Sequence, residues 1–184
     1  KASQTLDMTG LAQKGGPVLS HVRFALNPDD IKAGKTPPAS ADVIIACDLV
    51  VASSGDALVM FDKQRTSVVA NHDVTPTKEI IDNRNVWFDP DLLTARVRSR
   101  AKSFAATNAE ALAEHHFGDA IYTNMIMLGM AYQNGLIPIS DTAIYEANRL
   151  NKVKVKENAA AFDLGRIAAA NPDAVQAAAP KRAE

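Results

Sequence analysis

The sequence predicts an α/β fold: a three-layer α/β/α sandwich around a mostly parallel or mixed sheet, with a helical C-terminal part. Three observations point there. Short runs rich in Val and Ile alternate with longer helical stretches through the first half of the chain. One of them, Val43-Ile-Ile-Ala46, is apolar at every position, as a strand covered on both faces must be. The second half carries helix signals almost throughout, so it adds cover over a sheet rather than more strands.

The elements follow in order. Thr5 to Met8 reads as a short strand. Val18 to Leu26 alternates, with Val18, Ser20, Val22, Phe24 and Leu26 on one face and Leu19, His21, Arg23 and Ala25 on the other, which suits a strand with one drier and one wetter face. Asn27 to Ala41 contains Pro28, Gly34, Pro37 and Pro38 and reads as a loop. Asp42 to Ala46 is a buried parallel strand, and Asp48 to Phe61 is helical with a break near Ser53-Ser-Gly55. Ser67 to Asn71 and Ser103 to Ala106 are the next strands. Asn108 caps a helix that stops before Gly118, and Asp119 caps one from Ala120 to Asn134. That helix is apolar nearly all round (Ile121, Met125, Ile126, Met127, Leu128, Met130, Tyr132), so it is buried in a core or against another chain. Gly135 and Pro138 stop it. Ser140 caps a helix through Leu150, and Lys154 to Ala170 forms the last one before Asn171-Pro172. The Ala-rich remainder is expected to fray or act as a linker.

With 184 residues the chain fits one domain over 1–170, followed by a tail or linker over 171–184. Lys plus Arg number 20 against 21 Asp plus Glu, a net charge of −1, which argues against a general nucleic-acid surface. Arg96, Arg98, Arg100 and Lys102 read as one solvated helix face. No run approaches the ~20 apolar residues of a membrane span. No leader-like segment precedes the first strand, so a cytoplasmic location is expected. The one cysteine, Cys47, excludes an internal disulfide framework and a cubane iron–sulfur cluster held by this chain alone, and is expected to be a buried, inert thiol.

Chemistry-bearing motifs are sparse. There is no dinucleotide fingerprint, Walker loop, nucleophile elbow or zinc pattern. Gly55-Asp56 and Gly118-Asp119 read as turns or caps. His115 and His116 are adjacent on a helix and are expected to point apart, so no metal site is assigned. His72-Asp73 follows a strand, where ligand-facing residues of open α/β sheets lie, although a solvated turn is the plainer role. Ser53-Ser54-Gly55 offers backbone N–H groups to an anion or simply forms a capping turn. Met125, Met127 and Met130 read as core. No catalytic residue is assigned. The most informative segment is Thr9-Gly-Leu-Ala-Gln-Lys-Gly-Gly-Pro17, which places Lys14, Gly15 and Gly16 between two strands. The glycines let another group approach the backbone closely, and Lys14 brings a mobile positive charge. The loop suits an anionic ligand or a neighbouring domain, or is a tight turn with a solvated lysine.

Several segments together resemble a known family. They are Leu6-Asp-Met-Thr-Gly-Leu-Ala-Gln-Lys-Gly-Gly-Pro-Val-Leu-Ser-His-Val-Arg23, Ala41-Asp42 with Cys47-Asp48, Asn71-His72 with Thr75-Pro76-Thr77, Gly118 to Gly129, and Asn151 to Asn158 leading into Ala161-Phe-Asp-Leu-Gly-Arg166. In order and spacing the chain resembles the gamma-type domain of indolepyruvate ferredoxin oxidoreductases, within the 2-oxoacid:ferredoxin oxidoreductases, from Leu6 to about Arg166. The resemblance implies a part of an enzyme that oxidatively decarboxylates aryl pyruvates to acyl-coenzyme A. Thiamine diphosphate, Mg2+, iron–sulfur clusters and coenzyme A belong to the whole enzyme, and none is bound by this domain alone. It implies thiamine-binding and iron–sulfur domains and ferredoxin as partners, and homo-oligomerisation is expected. Lys14, Gly15 and Gly16 match the family's Arg/Lys-Gly-Gly loop and would face the shared cleft or coenzyme A, with Lys14 as a point charge. The chain departs from the pattern at its start: the family's first strand, glycine-rich turn and helix are not in the sequence. A sheet without that strand would expose a central edge or be rearranged. Two other readings stand beside this one, a free-standing module whose Lys-Gly-Gly loop holds an anionic metabolite, and an oligomerising domain built on the Ala120–Asn134 helix.

Overall fold

The computed structural model describes residues 2–9, 18–72 and 89–176. Two strands open it, β1 (Ala2–Thr9) and β2 (Val18–Ala25), paired antiparallel from Ala2–Ala25 to Thr9–Val18. A second sheet holds β3 (Val43–Ala46), β4 (Ser67–Asn71) and β5 (Ser103–Thr107), all parallel in that order. β1 begins earlier than the sequence suggests, because pairing with β2 carries the polar residues Ser3 and Gln4 into strand geometry. Among the described residues β3 pairs with β4 alone, and the β1–β2 ribbon forms a separate sheet.

The period-two alternation of β4 builds the layers. Val68 and Ala70 face one side, where they join Leu49 and Ala52 of α1 (Leu49–Ala52), Leu58 of α2 (Gly55–Leu58), and Leu93 and Val97 of α3 (Pro90–Arg98). Val69 faces the other side and joins α4 (Ala109–Phe117), α5 (Thr123–Gln133) and α7 (Val155–Ala170) through Leu112, Ile126, Met127 and Ala161. The α/β/α order is therefore the one expected. Ile126 and Met127 are wholly buried, and burying each side chain contributes about 1.5–3 kcal/mol. No helix among the described residues is long and apolar enough to cross a membrane.

Local chemistry explains the element ends. Asp48, Ser54, Asp89 and Asn108 cap α1, α2, α3 and α4, and Ser140 caps α6 (Asp141–Asn151). Gly118 (φ +73°) closes α4 and Gly135 (φ +72°) follows α5, both left-handed. The expected single helix from Ala120 is split. Ala120–Tyr122 is a 3-10 turn, because Asp119 accepts from the Ile121 N–H two residues on and Thr123 donates back to the Ala120 carbonyl at 2.7 Å. The expected fraying after Pro172 does not begin there. Pro172–Gln176 forms α8, whose Val175 is buried in the core, and residues 177–184 lie outside those described.

Helices α5 and α7 cross at glycine against glycine. A methyl group built at Gly129 would collide with the Phe162 carbonyl, and one built at Gly165 with the Ile126 carbonyl. The two backbones touch there, with Phe162 and Ile126 fully buried beside the contact. Tyr145, Asp163 and Arg166 fasten α6 to the same pair. Tyr145 donates to Asp163 at 2.5 Å, and Arg166 reaches the Tyr145 oxygen at 3.4 Å and Gln133 of α5 at 3.3 Å.

Candidate functional site

The C-terminal ends of parallel strands are where α/β sheets place ligand groups. Here those ends are joined by Asn71, the last residue of β4, which is 2% exposed. Its amide donates to the Cys47 carbonyl after β3 at 3.4 Å, and its Oδ1 accepts from the Ala109 N–H that opens α4 at 3.0 Å. The His72 N–H donates to the Thr107 carbonyl of β5 at 2.9 Å. One side chain and one backbone bond thus fix three strand ends to each other.

The helix starts around this crevice are filled by their own side chains. Asp48 Oδ1 accepts from Val50 and Val51 N–H at 2.7 and 3.2 Å, Ser54 Oγ from Ala57 N–H at 3.3 Å, and Asn108 Oδ1 from Ala111 N–H at 2.9 Å. Ser53 and Ser54 therefore form a capping turn, since Ser53 Oγ also donates to the Val50 carbonyl at 3.0 Å. These N–H groups would have to be released before an anion could use them.

The titratable groups nearby do not form a nucleophile and base. Cys47 is partly buried, and burial together with Asp48 pushes its thiol up, so it stays protonated at neutral pH. His72 lies 4.0 Å from Asp91, with both side chains well exposed, and Asp73 lies outside the described residues. His115 and His116 do not point apart as expected. Their rings meet edge to face at 4.8 Å, and burial, with His115 second, holds His116 below the ordinary imidazole range. Among the described residues no three His, Cys, Asp or Glu side chains gather to hold a metal ion. Met127 and Met130 are buried and Met125 packs beside them. Arg96 and Arg98 lie exposed on α3, with Arg98 over the Phe104 ring at 4.8 Å, and Arg100 and Lys102 follow the helix.

Lys14, Gly15 and Gly16 lie outside the described residues, as do Thr75, Pro76 and Thr77. The strands that carry the Lys-Gly-Gly segment are described. Their inner face holds Leu19, His21 and Arg23, and the loop of residues 31–36 covers it. Thr36 N–H donates to His21 Nδ1 at 3.2 Å, Arg23 donates to the Ala33 carbonyl at 2.7 Å, and Gly34 packs on Leu6. His21 is 4% exposed; burial first and Lys35 second hold it below the ordinary imidazole range. Val18, Val22 and Phe24 of β2 face outward and are about half exposed. One side of the ribbon is thus held by these polar bonds and by Leu19, which packs beside Ala41, Ala57 and Met60, while the other side carries an apolar row.

Three structural roles were not read from the sequence: the Asn71 bridge, the buried His21, and the Tyr145–Asp163–Arg166 fastening. Asn71 had a signal, a polar residue closing an otherwise apolar strand. His21 had a weaker one, a titratable residue two away from Leu19 and Arg23 on one strand face. The third had none, because its members meet only after α6 and α7 pack.

Comparison with known proteins bears on what such a domain belongs to. The chain is 28% identical over 166 residues to the indolepyruvate oxidoreductase subunit IorB of Pyrococcus horikoshii, covering 89% of this chain and 79% of that protein. It is 26% identical to the subunit of the same name from Thermococcus kodakarensis over the same shares, and 26% identical to that from Archaeoglobus fulgidus over 79% of this chain and 68% of that protein. Residues 1–168 match the model of the pyruvate ferredoxin/flavodoxin oxidoreductases, so a resemblance carried by scattered motifs extends over nearly the whole sequence, and the chain belongs to that family.

Proposed function

We propose that this chain is the gamma-type domain of a thiamine-diphosphate-dependent indolepyruvate, or aryl pyruvate, ferredoxin oxidoreductase. In that enzyme a 2-oxo acid is oxidatively decarboxylated to its acyl-coenzyme A, and electrons pass through iron–sulfur centres to ferredoxin. The observation that carries the reading is the family match over residues 1–168, together with relatives named as indolepyruvate oxidoreductase subunits. The described residues do not fit a magnesium–diphosphate headgroup. Their helix starts are capped by Asp48, Ser54 and Asn108, and no acidic cluster stands ready for the cation. No chemical step is therefore assigned to them.

The domain's part is to wall the reaction cleft. Asn71 holds the strand ends at fixed spacing, and the ribbon presents the Lys14-Gly15-Gly16 segment toward the cleft, where Lys14 meets the phosphates of coenzyme A or the substrate carboxylate as a point charge. The native enzyme containing this chain should hold thiamine and iron and reduce ferredoxin with an aryl pyruvate and coenzyme A. Metal analysis and thiamine release on the purified enzyme, followed by that assay, test it. A native enzyme with neither thiamine nor iron overturns the reading.

A further inference from the structure

The segment Asn151 to Asn158 belongs to the motif set of the sequence, yet nothing in the cleft uses it. In the structure it spans the end of α6, the turn at residues 152–154 and the first residues of α7. Lys152 (φ 59°, ψ 10°) and Lys154 (φ 42°, ψ 48°) both take left-handed backbone angles, which glycine adopts freely and lysine does not. Lys154 precedes a sixteen-residue helix without capping it through its side chain. Two amides hold the turn in this shape: Asn148 Nδ2 donates to the Val155 carbonyl at 2.7 Å, and Asn158 Nδ2 to the Val153 carbonyl at 3.0 Å. Val153 is left projecting at 57% exposure, with Leu150 one residue before the turn at 61%.

The surroundings are basic. Lys154 lies over the Tyr122 ring at 5.1 Å, which brings the turn against Ala120–Tyr122 and its exposed Ile121. Asp119 and Glu157 are the acids that act on Lys154, while Lys152 and Lys156 pair with no carboxylate among the described residues. An apolar centre inside a charged rim is the anatomy of a protein interface. Three lysines interleaved with two acids are too few for a polybasic lipid anchor or a phosphate track, and the chain's net charge of −1 favours neither.

We propose that this turn is a docking surface for a partner protein face that is acidic around an apolar centre, with Val153 as the central contact and Lys152 and Lys156 as the charged rim. The proposal rests on the reading above only in taking the partner to be another part of the same oxidoreductase.

The test uses the intact native enzyme. Lysines are acetylated in the assembled and in the urea-unfolded state, and a carbodiimide, which joins amines directly to carboxylates, is applied in parallel with peptide mapping. Lys152 and Lys156 should react about tenfold more slowly in the assembled enzyme and couple to Asp or Glu outside these 184 residues. Charge reversal by Lys152→Glu with Lys156→Glu should slow association with the partner about tenfold at low salt, an effect that shrinks at high salt. Val153→Asp, an exposed position that leaves folding intact, should speed dissociation. Equal reactivity in both states without cross-links overturns the proposal, and so does protection that disappears with nuclease or detergent while no cross-link forms. Cross-links in an enzyme that lacks thiamine and aryl pyruvate turnover keep the docking surface and sink only the functional reading.

Discussion

Replacing Gly129 by Ala sets two known effects against each other. Alanine is the better helix former by about 1 kcal/mol, so on propensity alone the variant gains stability. The added methyl, however, meets the Phe162 carbonyl and carbon, and backbone atoms cannot rotate away as a side-chain tip would. Helices α5 and α7 must separate by about an ångström, which forfeits a quarter to a half of the dispersion well along their contact. Overpacking of this kind costs about 1–3 kcal/mol, and the loosened contacts of Phe162, Ile126 and Ala161, all wholly buried, add to it. Set against the propensity gain, the net loss is about 1–2 kcal/mol. For a chain of this size that lowers Tm by roughly 2–8 °C, read by circular dichroism on heating. Gly165→Ala should behave alike. The double variant should lose less than the sum, since the first methyl has already parted the helices. Gly55→Ala is the control: no atom lies within 4 Å of the new methyl, so its Tm should hardly move. A Gly129→Ala variant as stable as the parent, or more so, would show that propensity wins and that the helices do not touch there.

Three further outcomes are expected. Asn71→Ala removes both bonds of the bridge and strands the fully buried Ala109 N–H, for a loss of about 2–3 kcal/mol in urea unfolding. His21 is held below its unfolded range by burial, so below about pH 6.5 the unfolded chain binds a proton that the folded chain resists; its share of stability is present above that pH and lost as pH falls through the folded value. Stability of the parent minus that of His21→Asn, measured from pH 8 to 5, should decline with acid, and a flat difference would sink the assignment. In the native enzyme Lys14→Gln should raise KM for coenzyme A or the 2-oxo acid by about tenfold or more with a smaller change in kcat, and unchanged steady-state constants would remove Lys14 from the cleft.

What could be read in the sequence was what short-range physics decides. β4 came out with its true ends because Ser67 and Asn71 bracket an apolar run, and the caps at Ser54, Asn108 and Ser140 were legible because a short polar side chain before a helix has one common use. The 3-10 turn at Ala120 was not legible, since Asp119 caps either helix type and the choice lies in which N–H it reaches. The β2 alternation defined two faces without saying which turns inward. Hydrophobicity favours Val18, Val22 and Phe24; the structure turns His21 and Arg23 in, because Thr36 and Ala33 supply bonds for them on that side. The Gly129–Gly165 contact was also hidden, as two isolated glycines 36 positions apart carry no mark of meeting.

A domain that forms one wall of a reaction cleft, as proposed above, has a demanding task. Catalytic geometry tolerates errors of about half an ångström, so the wall must be stiff where it meets its neighbours and free of competing ligand sites. The capped helix starts serve both ends. Each cap removes an N–H that would draw an anion to the wrong place, and each ties a helix to the strand before it. Asn71 extends the same device across strands, holding β3 to α4 by one side chain rather than by a longer ladder. On the reading proposed above, rigidity at the strand ends and the projecting turn between α6 and α7 serve one end: both position this domain against its partners.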